Sequence, residues 1–194
     1  MNACTLEEAL ARANTTGTML EEHELCFLYA LAAMAPRGVG IELGVYKGGS
    51  LSVWCGARHN DDPVYGVDTW EPPKWDSMEA DYYAHIERHR LDVTTLKMQS
   101  WSAANYVDGG EVAFCFVDST HNHTGFPADL KAWVPMIMPG GVIVFHDYGS
   151  WKPDIVVKEL VDEWQTEAQW FYLGMVGSAI AFMRPRGHRI GGTK

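Results

Sequence analysis

Four short stretches hold the residue types that do chemistry, and each stands just after an apolar run. The first is Glu42 to Ser50, ELGVYKGGS. Gly44 lets the chain turn sharply, and Gly48 with Gly49 lets a ligand approach the opening of the next helix, whose free amides suit a carboxylate or phosphate. The spacing is G-x-x-x-G-G, not the G-x-G-x-x-G of dinucleotide sites. A carboxylate at Glu42 repels a pyrophosphate and suits an ammonium group. Asp68 follows nineteen residues after Gly49, where a carboxylate accepts from both ribose hydroxyls of an adenosine. Asp118 and the pair His146-Asp147 complete the set, and His121 lies three residues after Asp118. A ligand with an adenosine, a cationic centre and an amino acid end fits this chemistry.

Strand ends must carry these groups. Apolar runs at 39–43, 63–67, 94–98, 112–117 and 142–145 read as strands, the last two buried on both faces. Helical segments read at 5–13, 18–35, from the glycine turn to Ala57, 78–91, 126–138 and from Pro153 to Trp164. In the second, Met19, His23, Cys26, Phe27, Ala30, Leu31 and Met34 recur at helical spacing. Residues 168–174 and 177–183 suggest a closing antiparallel hairpin that turns at Gly177. Alternating strands and helices imply a doubly wound, Rossmann-like α/β domain with a mostly parallel seven-stranded sheet and helices on both faces. Ligands in such folds bind at the carboxyl ends of the strands, where all four stretches fall. One domain is expected over 1–184, with two leading helices in 1–35 and a flexible tail at 185–194.

The composition narrows the class. Hydrophobic residues are 47% and charged residues 21% of 194, as in folded globular chains. A net charge of −10 gives no footprint for nucleic acid or an anionic membrane. The longest apolar run, Leu25 to Ala35, is too short to cross a bilayer. No signal peptide is visible. Cys4, Cys26, Cys55 and Cys115 form no CxxC pair, so reduced thiols and a cytoplasmic location are expected.

Glu42-Leu43-Gly44-x-Tyr46-x-Gly48-x-Ser50 resembles the cofactor loop of catechol O-methyltransferases. VYGVDTWE and FVDSTHNHTGFPADLKAWVPMIMPGGVIVFHDY resemble a small-molecule group of class I S-adenosylmethionine-dependent methyltransferases, the macrocin O-methyltransferase and cephalosporin hydroxylase group. The resemblance spans roughly 36–184. It implies S-adenosylmethionine as cofactor, with Gly44, Tyr46, Gly48 and Ser50 at its methionine end and Asp68 at the ribose. Gln99 and Ser100 would flank the adenine, and Asp118 and Ser119 would lie beneath the sulfonium. Val45, Gly49, Thr69 and Trp70 belong to the same cofactor-binding set.

The resemblance also sets Asp118, His146 and Asp147 where metal-dependent relatives bring three ligands to magnesium. Imidazole suits manganese, iron or zinc better than magnesium. Three readings of His146 stand open: a ligand to a divalent cation, a direct base, or a strand cap. His121 falls where the catechol enzymes carry a lysine that takes the acceptor's proton, and histidine can do so near neutral pH. His123 is expected to line the pocket. His85 and His89 have HxxxH spacing but lack the glutamate of H-E-x-x-H, so a polar helix face is expected. Trp70, Trp75, Tyr82 and Tyr83 would wall a small-molecule acceptor or shield the adenine, or form a homodimer patch. The expected reaction is methyl transfer to a small molecule at oxygen; the alternative is an inactive cofactor-binding protein with a structural or regulatory role.

Overall fold

The computed structural model describes residues 3–71, 76–108, 110–150, 152 and 155–187. Its helices and strands run α1 (Leu6–Ala13), α2 (Glu22–Met34), β1 (Val39–Leu43), α3 (Gly49–Gly56), β2 (Val64–Asp68), α4 (Asp76–His89), β3 (Thr94–Lys97), α5 (Ser100–Ala103), β4 (Val112–Val117), α6 (Gly125–Trp133), β5 (Ile137–Phe145), α7 (Val157–Ala168), β6 (Phe171–Val176) and β7 (Ala179–Met183). The strands form one sheet in the order β3-β2-β1-β4-β5-β7-β6. Its first five strands are parallel; β7 runs antiparallel to both β5 and β6. The doubly wound α/β architecture is therefore present, and the order reverses between β1 and β4, where such sheets open a crevice.

Side-chain alternation sorts β1 between two cores. Val39, Ile41 and Leu43 face the layer of α6 and α7, with Phe126, Trp133 and Val157. Gly40 and Glu42 face the opposite layer, where α1, α2 and α3 pack. Gly40 is a glycine for space, since a Cβ there would strike the Trp54 ring at 2.6 Å. Arg58, 3% exposed, spans the end of α2 and the start of β1. Its guanidinium donates to the carbonyls of Ala32, Ala35, Pro36 and Gly38 and pairs with Asp62 at 2.8 Å. One buried cation thus satisfies the carbonyls a helix end leaves open.

Several boundaries move. The α6 helix stops at Trp133 and passes through a short 3-10 turn, Val134–Met136, into β5, so Pro139-Gly140-Gly141 lies inside the strand instead of ending a helix. Gly140 has φ +84 there and Gly141 is pressed against Ile137 and Val112. The apolar face of α2 also rotates from the expected one. Glu24, Leu25, Leu28, Leu31 and Ala32 are buried, while Met19 and Met34 are 77% and 56% exposed. Glu24 joins the buried face because it has partners across the fold. On α4, His85 is buried at 2% exposed, against the polar-face expectation; its ring packs beside Gly48. The expected helix start at Pro153 and residues 188–194 of the tail lie outside the described residues. Arg184 is anchored to the carbonyls of Pro135 and Ile137.

Candidate active site

A crevice of about 1040 Å³ opens at the carboxyl ends of β1, β2, β4 and β5, enough for a cofactor and a second small molecule. Three of the five non-glycine residues with positive φ among those described, Tyr46, Trp70 and Asp147, stand at its wall. Such backbone costs energy and clusters where a site needs it.

On one side Asp68 ties two loops together. Its Oδ2 accepts from the Tyr46 amide and its Oδ1 from the Trp70 amide, both at 2.9 Å. Trp70 Nε1 returns a bond to the Tyr46 carbonyl at 2.9 Å. Burial raises the Asp68 pKa against the lowering by those amides. Gly44, Val45, Gly49, Ser50 and Thr69 line the same wall, and Gln99, Ser100 and Ser119 line another part of the crevice. No side chain caps the first amides of α3.

The glycines of the first loop also have close protein neighbours: Gly44 and Gly49 line the crevice, whereas Gly48 does not, which corrects the expectation of ligand approach at Gly48 alone. A Cβ on Gly44, at φ +89, would overlap the Asp118 carbonyl. One on Gly48 would meet Tyr82 and His85, and one on Gly49 would meet Thr18 and Gly17. Gly48 is the left-handed residue that starts α3, and it does not line the crevice. Glu42 is corrected likewise. It is fully buried, accepting from Ser50 Oγ at 2.6 Å and from Trp54 Nε1, so it braces the wall from behind. Burial pushes its carboxyl up to about 8, although the Ser50 and Trp54 bonds pull it down.

On the other side Asp118, His121 and Asp147 converge, with donor atoms all within 4.8 Å of one another. His121 Nε2 is 3.4 Å from Asp118 Oδ1 and 3.3 Å from Asp147 Oδ2. His146 is close by and reaches further partners as well. Its Nδ1 is 3.2 Å from Asp118 Oδ1, and its Nε2 is 3.0 Å from Ser178 Oγ and 3.5 Å from Glu24 Oε1. Burial alone would lower the His146 pKa; Asp118 and Glu24 overcome that and raise it to about 10. Its buried Nδ1 makes no hydrogen bond and lies 4.0 Å from Asp147 Oδ2 as well, so both rings present a nitrogen to the same two carboxylates. His121 offers Nε2 to them from the opposite loop. Its own pKa is raised, with Asp118 and Asp147 outweighing burial. Burial raises the Asp118 carboxyl, and the two histidines more than reverse this.

Glu24 is a site residue that sequence reasoning missed. It is 4% exposed and accepts from Ser178 N at 2.7 Å and Ser178 Oγ at 3.0 Å. Burial raises its pKa, yet His146 and the amides of Ser178 and Glu21 win and hold it at about 2. His123 is exposed and outside the crevice lining. Of the aromatic group, Trp70 lines the crevice, Tyr82 is fully buried with its hydroxyl on Thr95 at 2.9 Å, and Tyr83 is 46% exposed. Trp75 lies outside the described residues.

The methyltransferase domain family matches residues 41–148, the stretch that carries Glu42 through Asp147. The chain belongs to that family. A relative, the uncharacterized protein y4gI of Sinorhizobium fredii (strain NBRC 101917 / NGR234), is 26% identical over 140 residues, 64% of this chain; the match spans 15% of that protein's length. Among solved structures, the O-methyltransferase NovP superposes with a TM-score of 0.68 at 17% identity, covering 87% of this chain and 82% of that one. The O-methyltransferase TomG from Streptomyces achromogenes, in complex with SAM, gives 0.65 at 16% identity over 92% and 88%. An O-methyltransferase from Bacillus cereus in complex with SAH gives 0.63 at 20% identity over 92% and 90%. These likenesses establish a shared fold with this methyltransferase-family chain. No described helix is long and apolar enough to cross a membrane.

Proposed function

We propose that this methyltransferase-family chain takes S-adenosylmethionine and methylates a small molecule at oxygen. One juxtaposition carries the reading: Asp68, fixed between the Tyr46 and Trp70 amides, and the Asp118–His121–Asp147 group line one crevice. The first suits an adenosine, the second a hydroxyl that must lose its proton. The neighbours NovP and TomG are O-methyltransferases by name, which supports oxygen as the acceptor atom.

Two carboxylates and one imidazole within 4.8 Å fit a divalent cation, and the nitrogen favours manganese, iron or zinc over magnesium. Asp118, His121 and Asp147 would hold it, and when bound it would lower the pKa of an acceptor hydroxyl. S-adenosylmethionine, when bound, supplies the methyl group. The chain's own residues do the rest. Ser50 and the uncapped amides of α3 bind the amino acid end, and Asp68 orients the ribose. Trp70 and Leu20 exclude water from the crevice wall. Without a cation, His121 accepts the acceptor's proton at Nε2, and Asp118 and Asp147 stabilise the imidazolium. Positioning of acceptor oxygen against methyl supplies much of the acceleration. The four cysteines, all free, fit a reducing compartment such as the cytoplasm.

Calorimetric titration of metal-stripped protein with S-adenosylhomocysteine, alone and with manganese or magnesium, tests the reading. Micromolar binding is expected, with separate heat from manganese. Absence of binding under every condition overturns it.

A further inference from the structure

Asp129 is 1% exposed on α6, touches no part of the transfer chemistry, and yet governs one wall of the crevice. Its Oδ2 accepts from Ser119 Oγ at 2.7 Å and from Thr120 Oγ1 at 3.2 Å. The Ser100 hydroxyl faces the same carboxylate, whose other oxygen makes no hydrogen bond. One helical turn on, Trp133 Nε1 donates to the Ser100 carbonyl at 3.0 Å. Thr120 is pressed from its far side by Gly125, where a Cβ would collide with the Thr120 side chain. Ser100, Ser119 and Thr120 all line the crevice beside Met98 and Gln99.

We propose that Asp129 is the positioning residue that makes this wall select an aminopurine. A hydroxyl carries one proton and two lone pairs and rotates to suit its neighbours. Here the buried carboxylate takes the protons of Ser119 and Thr120, so these hydroxyls turn only lone pairs toward the crevice. Such a wall accepts hydrogen bonds and cannot donate them. The exocyclic amino group of adenine is a donor and fits; the oxo group of hypoxanthine is an acceptor at the same place and meets lone pair with lone pair. A site built for one hydrogen-bonding partner rejects the wrong one strongly because buried polar groups are left unpaired. The inference rests on the proposed cofactor, whose adenine it places against this wall.

The test compares binding of S-adenosylhomocysteine with that of its hypoxanthine analogue, S-inosylhomocysteine, by calorimetry. The wild-type chain is expected to prefer the adenine compound by about tenfold or more. Asp129→Leu should collapse the preference to within about twofold, because freed hydroxyls can donate or accept. Asp129→Asn should keep it, since one amide oxygen at the Oδ2 position still accepts both protons. General destabilisation lowers both affinities together and leaves their ratio alone. Should Asp129→Leu fail to fold, Ser119→Ala and Thr120→Val remove the same bonds from the other end and carry the same expectation. A ratio unchanged in these variants overturns the Asp129 proposal while the cofactor reading stands. No binding of either compound to wild type overturns the cofactor reading, and this proposal with it.

Discussion

Glu42→Gln should change the pH dependence of folding in a direction opposite to that of most carboxylates. Glu42 is fully buried in β1, and its carboxyl sits at about 8 instead of the ordinary 4.5. Burial is the largest cause, with Asp118 and Asp68 adding repulsion against the lowering from Ser50 and Trp54. The fold therefore prefers the protonated form. Below pH 4.5 both folded and unfolded chains carry the proton and nothing is lost. Above it the unfolded chain gains by ionising, and stability falls by about 1.4 kcal/mol per pH unit until the folded group titrates near 8. From pH 5 to pH 8 the loss amounts to about 3.5 kcal/mol. Glutamine is neutral and of the same shape. Its carbonyl can accept from Trp54 Nε1 while its amide donates to Ser50 Oγ. Urea unfolding of both chains at pH 5, 6.5 and 8, followed by tryptophan fluorescence, isolates the effect, because every other titrating group cancels in the difference. The variant should gain on wild type steadily across that range. A difference that stays flat with pH would refute the argument that Glu42 is buried as the neutral acid.

Three further outcomes are expected. Manganese binding, read by calorimetry, should fall at least about tenfold in His121→Ala and less in His146→Gln, because His121 Nε2 is 3.4 Å and 3.3 Å from the two carboxylates, whereas His146 Nδ1 is 3.2 Å and 4.0 Å from them and its other edge is held by Glu24 and Ser178; the reverse ranking would make His146 the stronger ligand. Gly44→Ala must overlap the Asp118 carbonyl at a backbone φ of +89, so a cost of about 3 kcal/mol or more and a melting point about 10 °C lower are expected, and a wild-type melting curve would contradict the close approach. Glu24→Ala strands the Ser178 donors and the buried His146 cation, at about 3–5 kcal/mol. Because folded Glu24 sits at about 2, that stabilisation is complete above pH 4.5 and fades as pH falls toward 2. The urea midpoints of the two chains should converge in acid, and a constant gap would show that Glu24 acts by packing alone.

The alternation of strands and helices was legible because it follows from local pattern. VAFCFV and VIVF are apolar throughout, and β4 and β5 are buried on both faces. Strand ends were legible for the same reason, so Asp68, Asp118 and Asp147 fall at one edge. The meaning of the glycines was not. A glycine in a turn signals that something comes close, and the sequence does not say whether that is a ligand or a carbonyl. At Gly44 the Asp118 backbone comes close and at Gly49 Gly17 and Thr18 do, and both glycines line the crevice as well. Glu42 misled in a related way. Alternation along VGIEL assigns it to the face of Gly40, and only the fold reveals that Trp54 and Ser50 close over that face.

The surroundings of the two histidines include a residue far away in the chain. His146 and His121 both approach Asp118, at 3.2 Å and 3.4 Å, and local sequence favours the one beside Asp147. Glu24 adds a third carboxylate beside His146. It meets Ser178 across a separation of 154 residues, and both stand at the Nε2 edge of His146 on the crevice wall. Remove Glu24 and His146 loses one of the carboxylates that raise its pKa. Helix α2, which lies outside the family's matched segment of 41–148, thus supplies a carboxylate to the crevice wall beside His146. A pairing of that range leaves no periodic or spacing signal. The trace it did leave was a glutamate inside a largely apolar helix, a residue that needs a buried partner whenever its face turns inward.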